Sequence, residues 1–190
     1  IDAVILPGGF TYGDYLRAGS IAGFSPVMEE VCKFARRGGP VIGICNGFQV
    51  LTEVRLLPGT LRTNVGLLFV CREVHLRIEN PNTIFTGGFA KGDVVTMPVA
   101  HRSGNYYAEP EVVRELEDSG KVVFRYSEVT GEITEQANPN GSVNNIAGIC
   151  DPPGRIIGMM PHPERRVQQF QGDVDGSFLF KSLAQAVGVE

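Results

Sequence analysis

The chain of 190 residues is 43% hydrophobic and 20% charged, with a formal net charge of −4 at pH 7. A domain of this size buries on the order of 70% of its unfolded surface, so it needs no disulfide or metal to hold together. The acidic balance argues against a nucleic-acid partner, and no apolar run approaches the roughly 18 residues of a membrane span.

Short apolar runs bounded by Gly and Pro alternate with helical stretches, the pattern of a single α/β domain over residues 1–190. Ala3-Val-Ile-Leu6 reads as a buried strand running into the tight loop Pro7-Gly8-Gly9. Ser25-Pro26 opens a helix with an N-cap and a proline at its first position; Val27, Val31, Phe34 and Ala35 form its apolar face, and Gly38-Gly39 ends it. Val41-Ile-Gly-Ile44 is a second buried strand, and it runs without a loop into a helix starting at Cys45-Asn-Gly. The middle is richer in strand, with Leu67–Val70, Glu73–Ile78 and Val94–Met97, then a short helix over Pro110–Ser119 and a strand at Val122–Phe124. Asn138-Pro-Asn-Gly141 is turn chemistry. Ile146–Cys150 and Ile156–Met160 form a hairpin around Pro152-Pro-Gly154, and an amphipathic helix over Gly176–Val187, capped by Asp175, closes the chain.

Of four cysteines, none has CxxC spacing, which points to a reducing, cytoplasmic setting rather than a disulfide scaffold. Cys71 and His75 share one face of a strand, but no further ligand stands at zinc spacing, so no metal is expected; Cys71 reads as a small core residue. No G-x-x-x-x-G-K-[ST] and no G-x-G-x-x-G after a strand occurs, so neither ATP nor a dinucleotide has support.

Gly43-Ile-Cys45-Asn-Gly47 has the form of a nucleophile elbow, in which a reactive side chain sits on a sharp turn between strand and helix. Backbone N–H groups at a helix N-terminus stabilise a thiolate and a developing oxyanion there. A thiol nucleophile needs a base. His162 follows a predicted strand directly, held between Pro161 and Pro163, and in an extended segment Glu164 points to the same side to hold one imidazole nitrogen. The glycines after the first strand offer one oxyanion donor and the Asn46 N–H another. Gln49, one helical turn past Cys45, projects on the same face.

Gly43-Ile-Cys-Asn-Gly-Phe-Gln49 together with Pro161-His-Pro-Glu164 resembles the class I, or triad, glutamine amidotransferases. Leu6-Pro-Gly-Gly-Phe-Thr-Tyr-Gly-Asp-Tyr-Leu-Arg17, Pro98-Val-Ala-His101, Asn138-Pro-Asn-Gly-Ser142 and Gly158-Met-Met-Pro-His-Pro-Glu-Arg165 narrow the resemblance to the glutaminase subunits of phosphoribosylformylglycinamidine synthase. Asn64 and Phe69-Val-Cys-Arg72 belong to the same pattern, in family order along nearly the whole chain.

That resemblance implies a flavodoxin-like α/β sandwich with a mainly parallel sheet, helices on both faces and a small antiparallel extension. It implies Cys45 as nucleophile, His162 as acid and base, Glu164 as its orienter and a backbone oxyanion donor near Gly9, with Gln49, Asn64 and His101 holding glutamine. The implied chemistry is hydrolysis of L-glutamine through a cysteinyl thioester, with ammonia passed to a synthetase subunit. ATP and Mg belong to that partner, this chain carries no cofactor, and a small third subunit accompanies the pair. Three departures stand out. The chain begins at Ile1, where the family has a strand and helix upstream; Val54-Arg55 replaces Ala-Gly, removing the easy left-handed helix cap; and Ser103 replaces an acidic residue. The competing readings are a triad glutaminase serving another synthetase, a truncated docking module without activity, and a cysteine hydrolase of the DJ-1-like group, which shares the elbow but not a late Pro-His-Pro-Glu.

Overall fold

A computed structural model describes residues 1–189. In chain order the strands are β1 (Val4–Leu6), β2 (Val41–Ile44), β3 (Thr60–Arg62), β4 (Val70–Ile78), β5 (Val94–His101), β6 (Asn105–Tyr107), β7 (Val122–Ser127), β8 (Ile146–Cys150) and β9 (Ile156–Met159). The helices are α1 (Pro26–Arg36), α2 (Asn46–Glu53), α3 (Pro110–Asp118) and α4 (Asp175–Ala186). No helix among the described residues is long and apolar enough to cross a membrane.

Seven strands form one sheet in the order β1-β2-β9-β8-β7-β4-β5, and β3 pairs with β6 in a small second sheet. The fold is the expected flavodoxin-like α/β arrangement. Its parallel part is β1–β2–β9. The remaining pairings are antiparallel, so the sheet is mixed, with β4, β5 and β7 from the β-rich middle of the chain extending it.

Within the parallel part β2 and β9 are buried on both faces, as their unbroken apolar runs require; β1, read as a buried strand, is instead the sheet edge and leaves Ile5 47% exposed. On one face the sheet meets α2 at very short range. A side chain at Gly43 would run into Leu51 and the Gly47 backbone, and one at Gly158 would run into the Phe48 ring. Ile42, Ile44, Ile157 and Met159 alternate onto the other face and are buried there.

The elements differ from the sequence reading at several points. The two strands read at 67–70 and 73–78 are one strand, β4, because Leu67 takes a left-handed turn (φ 57°) and the ladder begins only at Val70. Strand β5 runs past Pro98 to His101; it lies at the sheet edge, where a missing N–H costs no ladder bond. In α1 Val31 and Ala35 are buried and Phe34 packs against the core as expected, but Met28 takes the place of Val27, which is 66% exposed. Gly38 (φ 88°) and Gly39 close that helix as expected, their N–H groups bonding the carbonyls of Ala35 and Phe34 at 2.9 and 3.0 Å. Asp175 lies within α4 rather than capping it, and its carboxylate accepts the Thr96 N–H at 2.8 Å. Helix α2 ends in the same left-handed cap geometry with Arg55 (φ 60°) where glycine would be unstrained; Arg55 N–H bonds Thr52 O at 3.2 Å and Leu56 N–H bonds Leu51 O at 3.0 Å.

Candidate active site

Because β1, β2 and β9 are parallel neighbours, their C-terminal ends open on one side of the molecule. There Leu6 leads into Pro7-Gly8-Gly9, Ile44 into Cys45, and Met159 into the segment carrying His162. Sites of open α/β sheets form at this end of the strands. A cavity of about 400 Å³ sits there, lined by Gly8, Gly9, Cys45, Ala100, His162 and Glu164 among others.

Cys45 occupies the elbow between β2 and α2 with φ 51° and ψ −105°, a strained backbone for a residue with a side chain. The strain holds because glycines let the turn close: a side chain on Gly47 would strike the Leu6 carbonyl. The Cys45 N–H is tied to Met159 O at 2.8 Å, which couples the elbow to β9. The thiol is buried and donates to the Ala100 carbonyl at 3.7 Å. Burial pushes its pKa up to about 12; the Asn46 N–H aimed at the sulfur opposes this, and the nearby Glu164 carboxylate reinforces it. At neutral pH the resting group is a thiol.

His162 is 2% exposed, and its Nδ1 meets Glu164 Oε1 at 2.6 Å. The sequence reading placed this pair on an extended segment; instead Pro163–Arg165 is a 3₁₀ turn that carries Glu164 back beneath the ring. The His162 N–H bonds Pro98 O at 2.8 Å, an acceptor freed by the edge position of β5. Behind the turn, Arg166 is 5% exposed, pairs with Glu73 and donates to Gln171 O at 2.7 Å. Nε2 of His162 is buried and has no hydrogen-bond partner among the described residues. A side chain on Gly8 would lie 2.7 Å from His162 Cε1 and 3.4 Å from Cys45 Cβ, so the imidazole and the nucleophile candidate face each other across this glycine.

Gly9 (φ 154°) lines the cavity beside Gly8, and the Asn46 side chain secures the loop that follows: its Oδ1 accepts from the Thr11 N–H at 3.3 Å and from the Thr11 hydroxyl. The three expected glutamine contacts lie elsewhere. Gln49 is 4% exposed, accepts from Asn46 Nδ2 and donates to Ser103 O, both at 2.7 Å. Asn64 is 1% exposed and bonds Leu68 O, His101 O and the Gly104 N–H. His101 is buried with Nε2 3.0 Å from Asn140 Nδ2. Since Asn140 Oδ1 accepts the Ser142 N–H, its nitrogen faces His101, and the His101 proton sits on Nδ1. Burial first, and His162 second, push the pKa of His101 down to about 4. None of the three lines the cavity; their hydrogen bonds brace the loops on either side of β5.

Two cavity residues were not marked as functional by the sequence. Ala100 contributes a carbonyl, to which side-chain chemistry gives no clue. Cys71, read as core, is exposed and lines the cavity with Phe69.

The chain matches the CobB/CobQ-like glutamine amidotransferase domain over residues 1–179. It is 57% identical over 182 residues to the phosphoribosylformylglycinamidine synthase subunit PurQ of Chlorobaculum tepidum, covering 96% of this chain and 78% of that one. To the PurQ subunit of Salinibacter ruber it is 51% identical over 189 residues, covering 100% and 80%. Among solved structures it is similar to PurLQS from Thermotoga maritima, at 40% identity and a TM-score of 0.86, over 98% of this chain and 80% of that chain. A glutamine amidotransferase from Thermotoga maritima, 15% identical with a TM-score of 0.53 over 98% and 72%, shares the fold.

Proposed function

The chain belongs to the phosphoribosylformylglycinamidine synthase glutaminase subunits, within the CobB/CobQ-like glutamine amidotransferases, and on that premise we propose how its residues divide the work. The subunit hydrolyses glutamine and delivers ammonia to a synthetase subunit, with a small third subunit in the assembly, for amidine formation in purine biosynthesis. Cys45 is the nucleophile, His162 the acid and base, and Glu164 the group that orients it. The observation that carries this is the His162–Glu164 contact at 2.6 Å in a cavity that Cys45, His162 and Glu164 line together.

Glutamine enters with its carboxamide over Cys45. The thiol is protonated at rest, so attack is coupled to proton transfer from Sγ to His162 Nε2. Sulfur adds to the carboxamide carbon, and the oxyanion settles between the backbone N–H groups of Gly9 and Asn46. The imidazolium, with Nδ1–H held by Glu164, returns its proton to the leaving nitrogen, and ammonia departs from a γ-glutamyl thioester. His162 then deprotonates a water that attacks the thioester, releasing glutamate and restoring the thiol.

Residues 1–190 act as one amidotransferase domain, a reading supported by the family match over 1–179 and by the single seven-stranded sheet. The four free cysteines support a cytoplasmic setting.

The decisive experiment is stoichiometric labelling with a glutamine-mimicking diazo ketone, followed by peptide mapping. One label on Cys45 is expected, and Cys45→Ser loses both label and glutamine-dependent synthesis while ammonia-dependent synthesis by the synthetase complex continues. Label on Cys32, Cys71 or Cys150 instead overturns the assignment.

A further inference from the structure

The turn that carries Glu164 is fastened at both ends, and both fastenings fall on one cross-strand pair. At the start of the 3₁₀ turn Pro163–Arg165, the His162 N–H bonds Pro98 O at 2.8 Å on the free edge of β5. Just past its end, the guanidinium of Arg166 pairs with the carboxylate of Glu73 on β4. Glu73 and Pro98 stand directly opposite each other in the β4–β5 ladder, so the Arg166 side chain spans the width of β5 to reach its partner. The guanidinium sits in a prepared socket. Arg166 is 5% exposed, and its Nη1 donates to Gln171 O at 2.7 Å. Gln171 is fixed in turn by its own Oε1, which accepts the N–H groups of Val167 and Gln168 at 3.0 Å each. Gly172 (φ 108°) leaves the space, since a side chain there would collide with the guanidinium. A buried cation is costly unless paired and hydrogen-bonded, so Arg166 cannot leave this socket without forfeiting both partners. Arg165 beside it is different: it is half-exposed, with Nε 3.8 Å from Glu164 Oε1.

We propose that Arg166, paired with Glu73, is a positioning residue for glutamine hydrolysis: the pair holds the Pro163–Arg165 turn in the place that keeps Glu164 against His162 Nδ1. Neither Arg166 nor Glu73 lines the catalytic cavity, so the effect passes through Glu164. The linkage is short and stiff. Glu164 is the middle residue of the turn, the Arg165 N–H bonds His162 O at 3.2 Å, and the Arg166 N–H bonds Pro163 O at 3.0 Å. A displacement of Arg166 is therefore carried into the turn rather than absorbed by slack chain. With this end released, the turn stays tied only at His162, and the carboxylate no longer meets the imidazole in one fixed geometry. Misplacement by about 1 Å is enough to slow a reaction that depends on such alignment. This inference rests on Glu164 being the group that orients His162.

The test is a double-mutant cycle on glutaminase kcat in the synthetase complex. Arg166→Ala is expected to lower kcat about tenfold, with KM for glutamine within a factor of about two of wild type. In a Glu164→Gln background the same replacement is expected to change kcat by less than about twofold, because the group it positions is already lost. Arg166→Lys keeps the cation without the planar fork and is expected to recover part of the rate. Glu73→Gln alters only the exposed partner, is expected to lower kcat in the same way, and takes the place of Arg166→Ala in the cycle if that variant does not fold. A wild-type kcat in the variant used, or a fall that persists undiminished in the Glu164→Gln background, overturns the proposal. If Glu164→Gln alone leaves kcat unchanged, the role of Glu164 fails and this inference with it. If Glu164→Gln lowers kcat while Arg166→Ala and Glu73→Gln do not, this inference alone fails.

Discussion

The thiol of Cys45 donates to the carbonyl of Ala100 at 3.7 Å, and the Nε2 of His162 has no hydrogen bond among the described residues. The sulfur therefore rests protonated, while His162 Nδ1 lies against Glu164 Oε1 at 2.6 Å. Burial is the main cause of that state; the Glu164 carboxylate adds to it and the Asn46 N–H works in the opposite direction. Chemistry starts when substrate draws the proton from the sulfur to His162 Nε2.

Replacing Glu164 with Gln keeps the size of the side chain and removes its charge. The amide no longer selects the Nδ1–H tautomer or stabilises the imidazolium that forms during attack. Glutaminase kcat in the synthetase complex should fall by about 10²- to 10⁴-fold, with ammonia-dependent synthesis unchanged. A kcat within a factor of about two of wild type would remove Glu164 from the mechanism.

Two glycines near the elbow should fail in different ways. Alanine at Gly8 places a methyl 2.7 Å from His162 Cε1, which turns the ring away from Cys45; kcat should drop about 10- to 100-fold with little change in stability. Alanine at Gly47 meets the Leu6 backbone carbonyl, which has no room to yield between β1 and α2, and should cost about 3 kcal/mol in urea unfolding. Equal effects of both on stability would contradict this separation.

Arg55 sits at φ 60° in the cap of α2 with both cap hydrogen bonds made. Glycine there keeps those bonds and relieves the contact between Cβ and the backbone. Arg55→Gly should raise stability by about 1 kcal/mol, seen as a higher Tm, whereas a lower Tm would mean that the arginine side chain contributes more than its backbone strain costs.

Acid sensitivity should centre on His101. The folded chain holds it neutral down to about pH 4, whereas the unfolded chain protonates it near its usual 6.5. Its folded pKa is depressed, so the unfolded state binds the extra proton first as pH falls. Stability is whole above about pH 6.5 and declines from there to about pH 4, by on the order of 3 kcal/mol. His101→Gln, which retains an acceptor for Asn140, should flatten the urea midpoint over that window. An unaltered slope would place the acid sensitivity elsewhere.

Several features were legible in the residues because their causes are local. Val41–Ile44 reads as a buried strand from its unbroken apolar run, and Gly43 and Gly47 announce the sharp turn around Cys45. Pro161 and Pro163 announce a constrained histidine. Local rules failed where a distant partner decided the outcome. Pro98 marks the end of a strand by sequence, yet β5 continues through it because no strand among the described residues pairs on that side. Asp175 looks like a cap, yet its carboxylate is taken by Thr96 of β5. Gln49 has the right spacing to face the cavity, yet Ser103 O and Asn46 claim its amide.

The sequence by itself determined the chemistry of the elbow, the identity of its histidine and carboxylate, and the α/β class, since each depends on backbone freedom or periodicity within a few residues. Only the tertiary structure decided that the sheet is for the most part antiparallel, that Gly8 separates His162 from Cys45, and that Cys71 shares their cavity. Those relationships arise from the pairing of β9 with β2 and the register of β5 on β4. Strand pairing joins segments far apart in the chain through backbone groups that every residue carries alike, and so it leaves little mark on the side chains.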